Sequence, residues 1–389
     1  MLRDFSISAL STGLLAAFVG FSSSFAIVLA GLTAVGATEV QAASGLMFAS
    51  IAMGGCSIWF AIATRTPAAV AWSTPGAAFL AASPALAGGF AEAVGALIVC
   101  ALAIGLTGIV PALAQAVAAI PKSIASALLA GVIFKLCLFP ALALGQIPFL
   151  VIPVLLAWGV GLMVHRLAAV PLAVAVFVGV LFFAVPTPEG TGAQLAAALV
   201  PQPELVRPVF DWSSALSVAL PLYLVTMAGQ NIPGFTVLEL HGYTVDRPRL
   251  LRRTGMASLM TAPFAAIPVN MSAITAAMMS GEDAHPDAAR RYWSTIVCGI
   301  SYVVLGVLAG FVTAAVSFAP PLLVTSVAGL ALFPALISSL KAAFEDKSGL
   351  EAPAATFILT ASTMSLLGIS GAFWGLLAGG MLWFGLRRN

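Results

Sequence analysis

Long apolar runs separated by brief polar breaks fill nearly the whole chain. Membrane β-barrels alternate apolar and polar residues in short segments; runs such as LPLYLVTMAG and VVLGVLAGFVTAAV do not. The pattern therefore predicts an all-α polytopic membrane protein. Candidate spans cover 9–34, 42–63, a half-span at 73–83, 90–110, 120–139, 147–164 and 170–185. A polar, proline-rich divider at 186–211 follows, containing PTPEGTG and PQPELVRP. Beyond it come 214–236, 254–267, a half-span at 271–280, 293–318, 321–340, 353–367 and 370–386. Seven segments precede the divider and seven follow it. An odd number per half turns the second half upside down relative to the first, which is an inverted repeat.

The two half-spans stand apart from the other runs. AWSTPGAAFLAAS (71–83) and IPVNMSAITAAMMSG (267–281) each begin with residues suited to extended backbone and turn at a polar pair into small helix formers. Unwound backbone at membrane depth is tolerated only where protein buries it or a cavity wets it. A matched pair of such interruptions, one per half, points to a transporter binding site. Their polar starts, Thr74 and Ser272, are 198 residues apart and are expected to lie near each other at mid-bilayer.

Charge supports the span count. With a cytoplasmic amino terminus, fourteen of the sixteen basic residues fall on the cytoplasmic side, and only Lys135 and Arg207 do not. Both termini are then cytoplasmic. The start of the chain could pass for a signal peptide, but it lacks a small-residue cleavage site and is read as a retained first span. Composition agrees: 61% of residues are hydrophobic and 8% charged, against about 25% charged in soluble domains. The net charge of +2 argues against a nucleic-acid partner. Cys56, Cys100, Cys137 and Cys298 are scattered singly without metal-ligand spacing, and His165, His241 and His285 fall at predicted cytoplasmic ends. No cofactor or metal is called for. No Asp lies within a predicted span and no nucleotide-binding motif is present, which disfavours an intramembrane enzyme or an ATP-driven pump.

Polar residues inside spans gather in four places: Ser22, Ser23 and Ser24 in the first; Trp72, Ser73 and Thr74 in the third; Gln230 and Asn231 in the eighth; Asn270, Ser272 and Thr275 in the tenth. Ser24 and Asn231 are 207 residues apart, close to the spacing of the half-spans. Such residues can simply glue helices together, but glue need not concentrate at repeat-related positions. The amino ends of two half-helices present unpaired N–H groups and two positive dipole ends, which suits an anion. Phe21, Phe25, Trp72, Phe79 and Phe235 could add an apolar slot, so a small aromatic carboxylate fits both features.

In TRTPAAVAWSTPGAAFL, IPKSIASALLAGV, MAGQNIPGFTVL and PVNMSAITAAMM the chain resembles the benzoate/proton symporter family (BenE type), and the likeness extends over essentially the whole length. The resemblance implies import of benzoate or a close aromatic carboxylate with a proton, across a bacterial inner membrane. It also implies distant similarity to nucleobase and anion transporters of seven-plus-seven inverted repeats. In that fold, residues 1–110 and 212–318 (helices one to four and eight to eleven) would form a core. Residues 111–211 and 319–389 would form a gate, and short strands would lead into half-helices three and ten. The expected substrate-binding residues are Ser22, Ser23, Ser24, Phe25, Trp72, Ser73, Thr74, Gln230, Asn231, Asn270 and Ser272. One departure is visible: the nucleobase relatives carry acidic residues on helices eight and ten, where this chain has Gln230 and NMSAITA. A neutral site avoids repelling a carboxylate. It leaves Glu39, Glu92 and Lys135 as candidates for proton coupling. A nucleobase or anion transporter of the same fold, and a homodimeric assembly, stay open on sequence.

Overall fold

The computed structural model describes residues 4–386 apart from 187, 189, 347, 348 and 363. Arg3, Lys347, Arg387 and Arg388, counted in the charge argument, lie outside the described residues. Fourteen principal helices, α1–α14, follow the predicted order. The first half contains α1 (Ile7–Ala34), α2 (Glu39–Thr64), strand β1 (Val70–Trp72), α3 (Thr74–Ala82), α4 (Gly89–Thr107), α5 (Lys122–Gln146), α6 (Pro148–Val164) and α7 (Ala169–Ala184). The second contains α8 (Trp212–Leu240), α9 (Arg247–Thr261), strand β2 (Val269–Met271), α10 (Ala273–Ser280), α11 (Tyr292–Val307 bent by 54° into Ala309–Ser317), α12 (Pro321–Ala343), α13 (Glu351–Ala361) and α14 (Gly371–Leu386).

Local chemistry sets the element ends. The α1 helix starts on Ser6, whose side chain caps Ala9, and it breaks at Ser23–Ser24. A capping box between Thr38 and Gln41 opens α2, and Arg65 closes it in the left-handed region at φ 52°. Two π-helical turns interrupt α8, at Ala215–Ala219 and Met227–Asn231, each just before a proline (Pro221, Pro233). Proline removes an N–H and crowds the carbonyl one turn back, and a widened turn relieves both. At 8 and 9 residues, α10 and α3 are too short to cross a bilayer.

The packing repeats itself between the halves. Helix α2 lies along α11 as α9 lies along α4, and the second part of α1 packs on α3 as the end of α8 packs on α10. These are the contacts of seven-plus-seven inverted repeats. Apart from them, α5 packs chiefly on α12 and α13, and α13 on α14. The proline-rich divider holds a short helix, Thr191–Ala197, and an extended stretch tied down by Val206 N to Pro263 O (2.8 Å) and Val209 N to Ala91 O (2.9 Å).

Two segments differ from expectation. The predicted span 254–267 is a helix that begins at Arg247, because Asp246 caps Arg249 N and Pro248 suits the first turn; it ends at Thr261, where the chain turns into the lead to β2. The predicted span 353–367 is only the 11-residue α13. After it a hairpin of β3 (Ser365–Leu366) and β4 (Ile369–Ser370) turns through Leu367 and Gly368 at positive φ. Ser370 Oγ donates to Ser217 O and Ser213 Oγ to Gly368 O, fastening this hairpin to the start of α8.

Candidate functional site

The interrupted segments meet at one two-stranded ribbon. Strands β1 and β2 pair antiparallel in the register Val70↔Met271, Ala71↔Asn270 and Trp72↔Val269. Beyond the rungs, Ser73 N donates to Pro268 O (2.8 Å) and Ser272 N to Ala69 O (3.0 Å). Ser73 and Ser272, the caps of α3 and α10, therefore stand at opposite ends of the ribbon. They are four register steps apart, about 13 Å at the usual rise per residue. The expectation that the starts of the half-helices lie near each other is corrected accordingly: three paired rungs separate them.

A serine on a neighbouring helix anchors each strand. Ser57 Oγ of α2 accepts from Val70 N at 2.9 Å, and Ser258 Oγ of α9 accepts from Val269 N at 2.9 Å. These two serines were missed in the sequence, although their spacing of 201 residues matches that of the half-helices. Within β1, Trp72 Nε1 donates to Ser24 Oγ at 2.8 Å, where α1 breaks. In the other half, Met271 N donates to Asn231 Oδ1 at 3.0 Å, in the second π turn of α8. Ser73 Oγ caps Gly76 N (3.0 Å) and shares a 2.6 Å hydrogen bond with Thr226 of α8, a partner that sequence spacing did not single out. The Asn270 amide, with its oxygen oriented toward Ser73 N (3.1 Å), donates to Met271 O (2.9 Å). Ser24, Ser73, Asn231, Asn270 and Trp72 are all buried.

Other predicted residues are differently placed. Thr74 and Gln230 are half-buried, and neither side chain has a hydrogen-bond partner among the described residues. Gly229, beside Gln230, packs so closely on Pro75 that an added Cβ would stand 3.2 Å from its ring, which puts this turn of α8 against the first turn of α3. Ser23 Oγ returns to Gly20 O (3.2 Å), whereas Ser22 Oγ is buried without a partner. The same holds for Thr275 Oγ1 and Tyr302 Oη, and both of those side chains crowd Gly20. Ser272 Oγ faces Thr275 N at 3.4 Å. Phe21 stacks on Phe25 (5.8 Å) and tilts against Trp72 (5.3 Å). Phe235 departs from this group and lies under the Arg247 guanidinium at 5.7 Å.

The proton-coupling candidates are dispersed. Glu39 is exposed in the first turn of α2. Glu92 is buried at the start of α4 and accepts from Gly88 N at 2.6 Å. Lys135, midway along α5, shares an exposed face with Leu138 and Leu142. None of the three touches the ribbon network by any hydrogen bond of the described residues.

A cavity of about 280 Å³ opens between α5 and α8, with Ser126 and Leu129 on one wall and Leu224, Ala228 and Gly229 on the other. Lys122 lines it at the start of α5. Its volume exceeds the ~150 Å³ of an engineered cavity that accepts benzene.

Residues 3–384 match the family described as benzoate membrane transport protein (BenE). The chain is 34% identical over 384 residues to the inner membrane protein YdcO of Escherichia coli K12, covering 98% of this chain and 96% of that one. It is 32% identical over 391 residues to the benzoate membrane transport protein of Acinetobacter baylyi, covering 99% and 97%. Among solved structures, the transmembrane domain of the cyanobacterial bicarbonate transporter BicA superposes with a TM-score of 0.62 at 15% identity, covering 98% of both chains. The murine anion transporter Slc26a9 gives 0.60 at 14% identity, with all of this chain on 69% of that one. These two likenesses concern the fold. With the family matched from end to end, the chain belongs to the BenE family of benzoate membrane transport proteins.

Proposed function

We propose that this protein imports benzoate, or a closely similar aromatic carboxylate, together with a proton across a bacterial inner membrane. The observation that carries this reading is the pair of half-helices at the two ends of the β1–β2 ribbon, with two polar side chains, Thr74 and Gln230, that have no hydrogen-bond partner among the described residues. The first-turn N–H groups of α3, with the hydroxyl and amide of Thr74 and Gln230, would hold the carboxylate. Phe21, Phe25 and Trp72 would offer the apolar side to the ring. In this reading α1–α4 and α8–α11 carry the substrate, and α5–α7 with α12–α14 form the gate against which they move. The cavity between α5 and α8 is then the approach from the cytoplasm, with the Lys122–Glu345 ion pair at its mouth. Both termini are cytoplasmic.

A carboxylate entering an inside-negative cell works against about 2.3 kcal/mol per 100 mV. One proton per substrate removes that opposition and couples uptake to the pH gradient. Uptake of radiolabelled benzoate into proteoliposomes tests this: an acidic exterior should stimulate it, and clamping the potential should leave it nearly unchanged. Strong stimulation by an inside-positive potential with no pH gradient would refute proton symport in favour of uncoupled anion movement.

A further inference from the structure

Helices α4 and α9 cross at two glycines. A Cβ on Gly255 would come within 2.4 Å of Gly105 N, so the backbones touch there. Around this crossing the two helices leave a surface groove of about 460 Å³. Its floor and walls include Leu102, Leu106, Ile109 and Met256, each between 44% and 63% exposed. Arg249, Arg252 and Arg253 also line it, on the first turns of α9.

The three arginines have no acidic partner among the described residues. The ion pairs among the described residues join Lys122 to Glu345, Arg247 to Glu239, and Arg290 to Asp4 and Asp287, leaving this trio out. Asp246, on the same helix, is engaged in capping Arg249 N. Arg249 and Arg253 lie over the Trp59 ring at 5.1 and 4.7 Å, so two guanidinium groups are held at the rim. Tryptophan favours the membrane–water interface, and this end of α9 also carries the basic cluster assigned to the cytoplasmic side. An apolar trough that ends in three unneutralised cations has the shape and charge of one ligand class: a fatty chain attached to an anionic headgroup.

We infer that the α4–α9 groove binds an anionic phospholipid, with its phosphate among Arg249, Arg252 and Arg253 and an acyl chain along Leu102, Leu106 and Met256. A second copy of the chain is a poor occupant. A two-fold interface here would bring like charges together, because each patch would face itself.

The test uses the full-length protein, equilibrated with phosphatidylglycerol or phosphatidylcholine and read by native mass spectrometry and by thermal unfolding. Each arginine is worth roughly 5-fold in affinity for an anionic surface. R252Q/R253Q should therefore lose phosphatidylglycerol by roughly 25-fold and the triple variant with R249Q by roughly 100-fold. Arg252 and Arg253 are exposed, so the double variant carries the test if the triple one unfolds. R166Q, which removes an exposed arginine between α6 and α7, should bind as the parent does. Inorganic phosphate should neither compete nor stabilise, since it lacks the acyl chain. Equal retention of the two lipids, undiminished phosphatidylglycerol binding by the double variant, or full competition by phosphate alone would overturn the proposal. So would a parent dimer that the double variant abolishes in phosphatidylcholine, which would make the groove a subunit interface.

Discussion

Replacing Gln230 by Glu exchanges an amide for a carboxylate of the same shape, so the fold has little reason to change while the charge of the site does. The structure sets the scale of the effect. Thr226 contacts Ser73, the cap of α3, at 2.6 Å, and Gly229 packs on Pro75 in the first turn of α3, with Gln230 the next residue on α8. A carboxylate held at the start of α3 would then lie roughly 5 Å from the new glutamate. Two like charges at that distance repel by about 3 kcal/mol at an effective dielectric of 20, or roughly 150-fold in Kd. Titration of the purified variant with benzoate and with neutral benzamide separates charge from shape: benzoate should weaken by about that factor and benzamide should hold. The measurement counts at a pH where the infrared carboxylate band shows the glutamate to be ionised. Unchanged benzoate affinity there, with a normal melting curve, would refute a site beside Gln230.

Thr74→Ala should weaken benzoate binding by about 1.5–3 kcal/mol, the value of one hydrogen bond to a charged group, by the same titration. Ser326, a hydroxyl whose loss would be silent if it were idle, in fact donates to Leu322 O and across to Phe139 O of α5, so Thr325, half-buried and bonded only within α12, is the better control. Asn231→Ala strands Met271 N in the core and should cost about 1–3 kcal/mol of stability in thermal or denaturant unfolding. Gly255→Ala drives a Cβ into the α4 backbone and should cost about 1–3 kcal/mol, whereas Gly159→Ala, with open space around it, should not. At the amino terminus, chiefly the hydrogen bond from Tyr292 Oη (2.9 Å), with nearby positive charges including Arg290, holds the Asp4 carboxyl below its ordinary 3.8. That contribution is complete above pH 3.8 and fades only as pH falls through the lowered value. The melting difference between the parent and Asp4→Asn should therefore stay constant from about pH 5 to 8 and shrink in stronger acid.

Much of this fold was legible because membrane burial leaves few ways to write a helix, and the half-spans stood out for mixing proline, glycine and hydroxyls at depth. Pairing Ser24 with Asn231 by spacing found two residues that do equivalent work, each holding one strand of the ribbon. What the sequence could not convey was register. Nothing in AWSTP or PVNMS tells that three rungs separate Ser73 from Ser272. Ser57 and Ser258 escaped notice because a lone serine in a long apolar helix has no local signal; only their spacing marks them. The span expected at 254–267 starts late because apolar residues begin only after the arginines, whereas Asp246 and Pro248 begin a helix that carries them.

Hydrogen-bond satisfaction divides the polar residues of the site into two sets with different duties. Ser24, Trp72, Ser73, Asn231 and Asn270 are buried and bonded to one another or to the ribbon, so truncating any of them leaves an unmatched donor or acceptor and reports first on stability. Thr74 and Gln230 have no hydrogen-bond partner among the described residues and sit where α8 meets the first turn of α3. An unsatisfied polar group at such a junction favours a ligand that completes it, and losing one should change affinity with little effect on folding. The two sets therefore separate in experiment. Variants of the first, apart from Trp72, which also faces the ring, should melt earlier and bind normally once folded, and variants of the second should melt normally and bind poorly. If Thr74 and Gln230 variants melted early with unaltered benzoate affinity, their free side chains would be structural and the carboxylate would have to lie elsewhere, with the unpaired hydroxyls of Ser22, Thr275 and Tyr302 next in line.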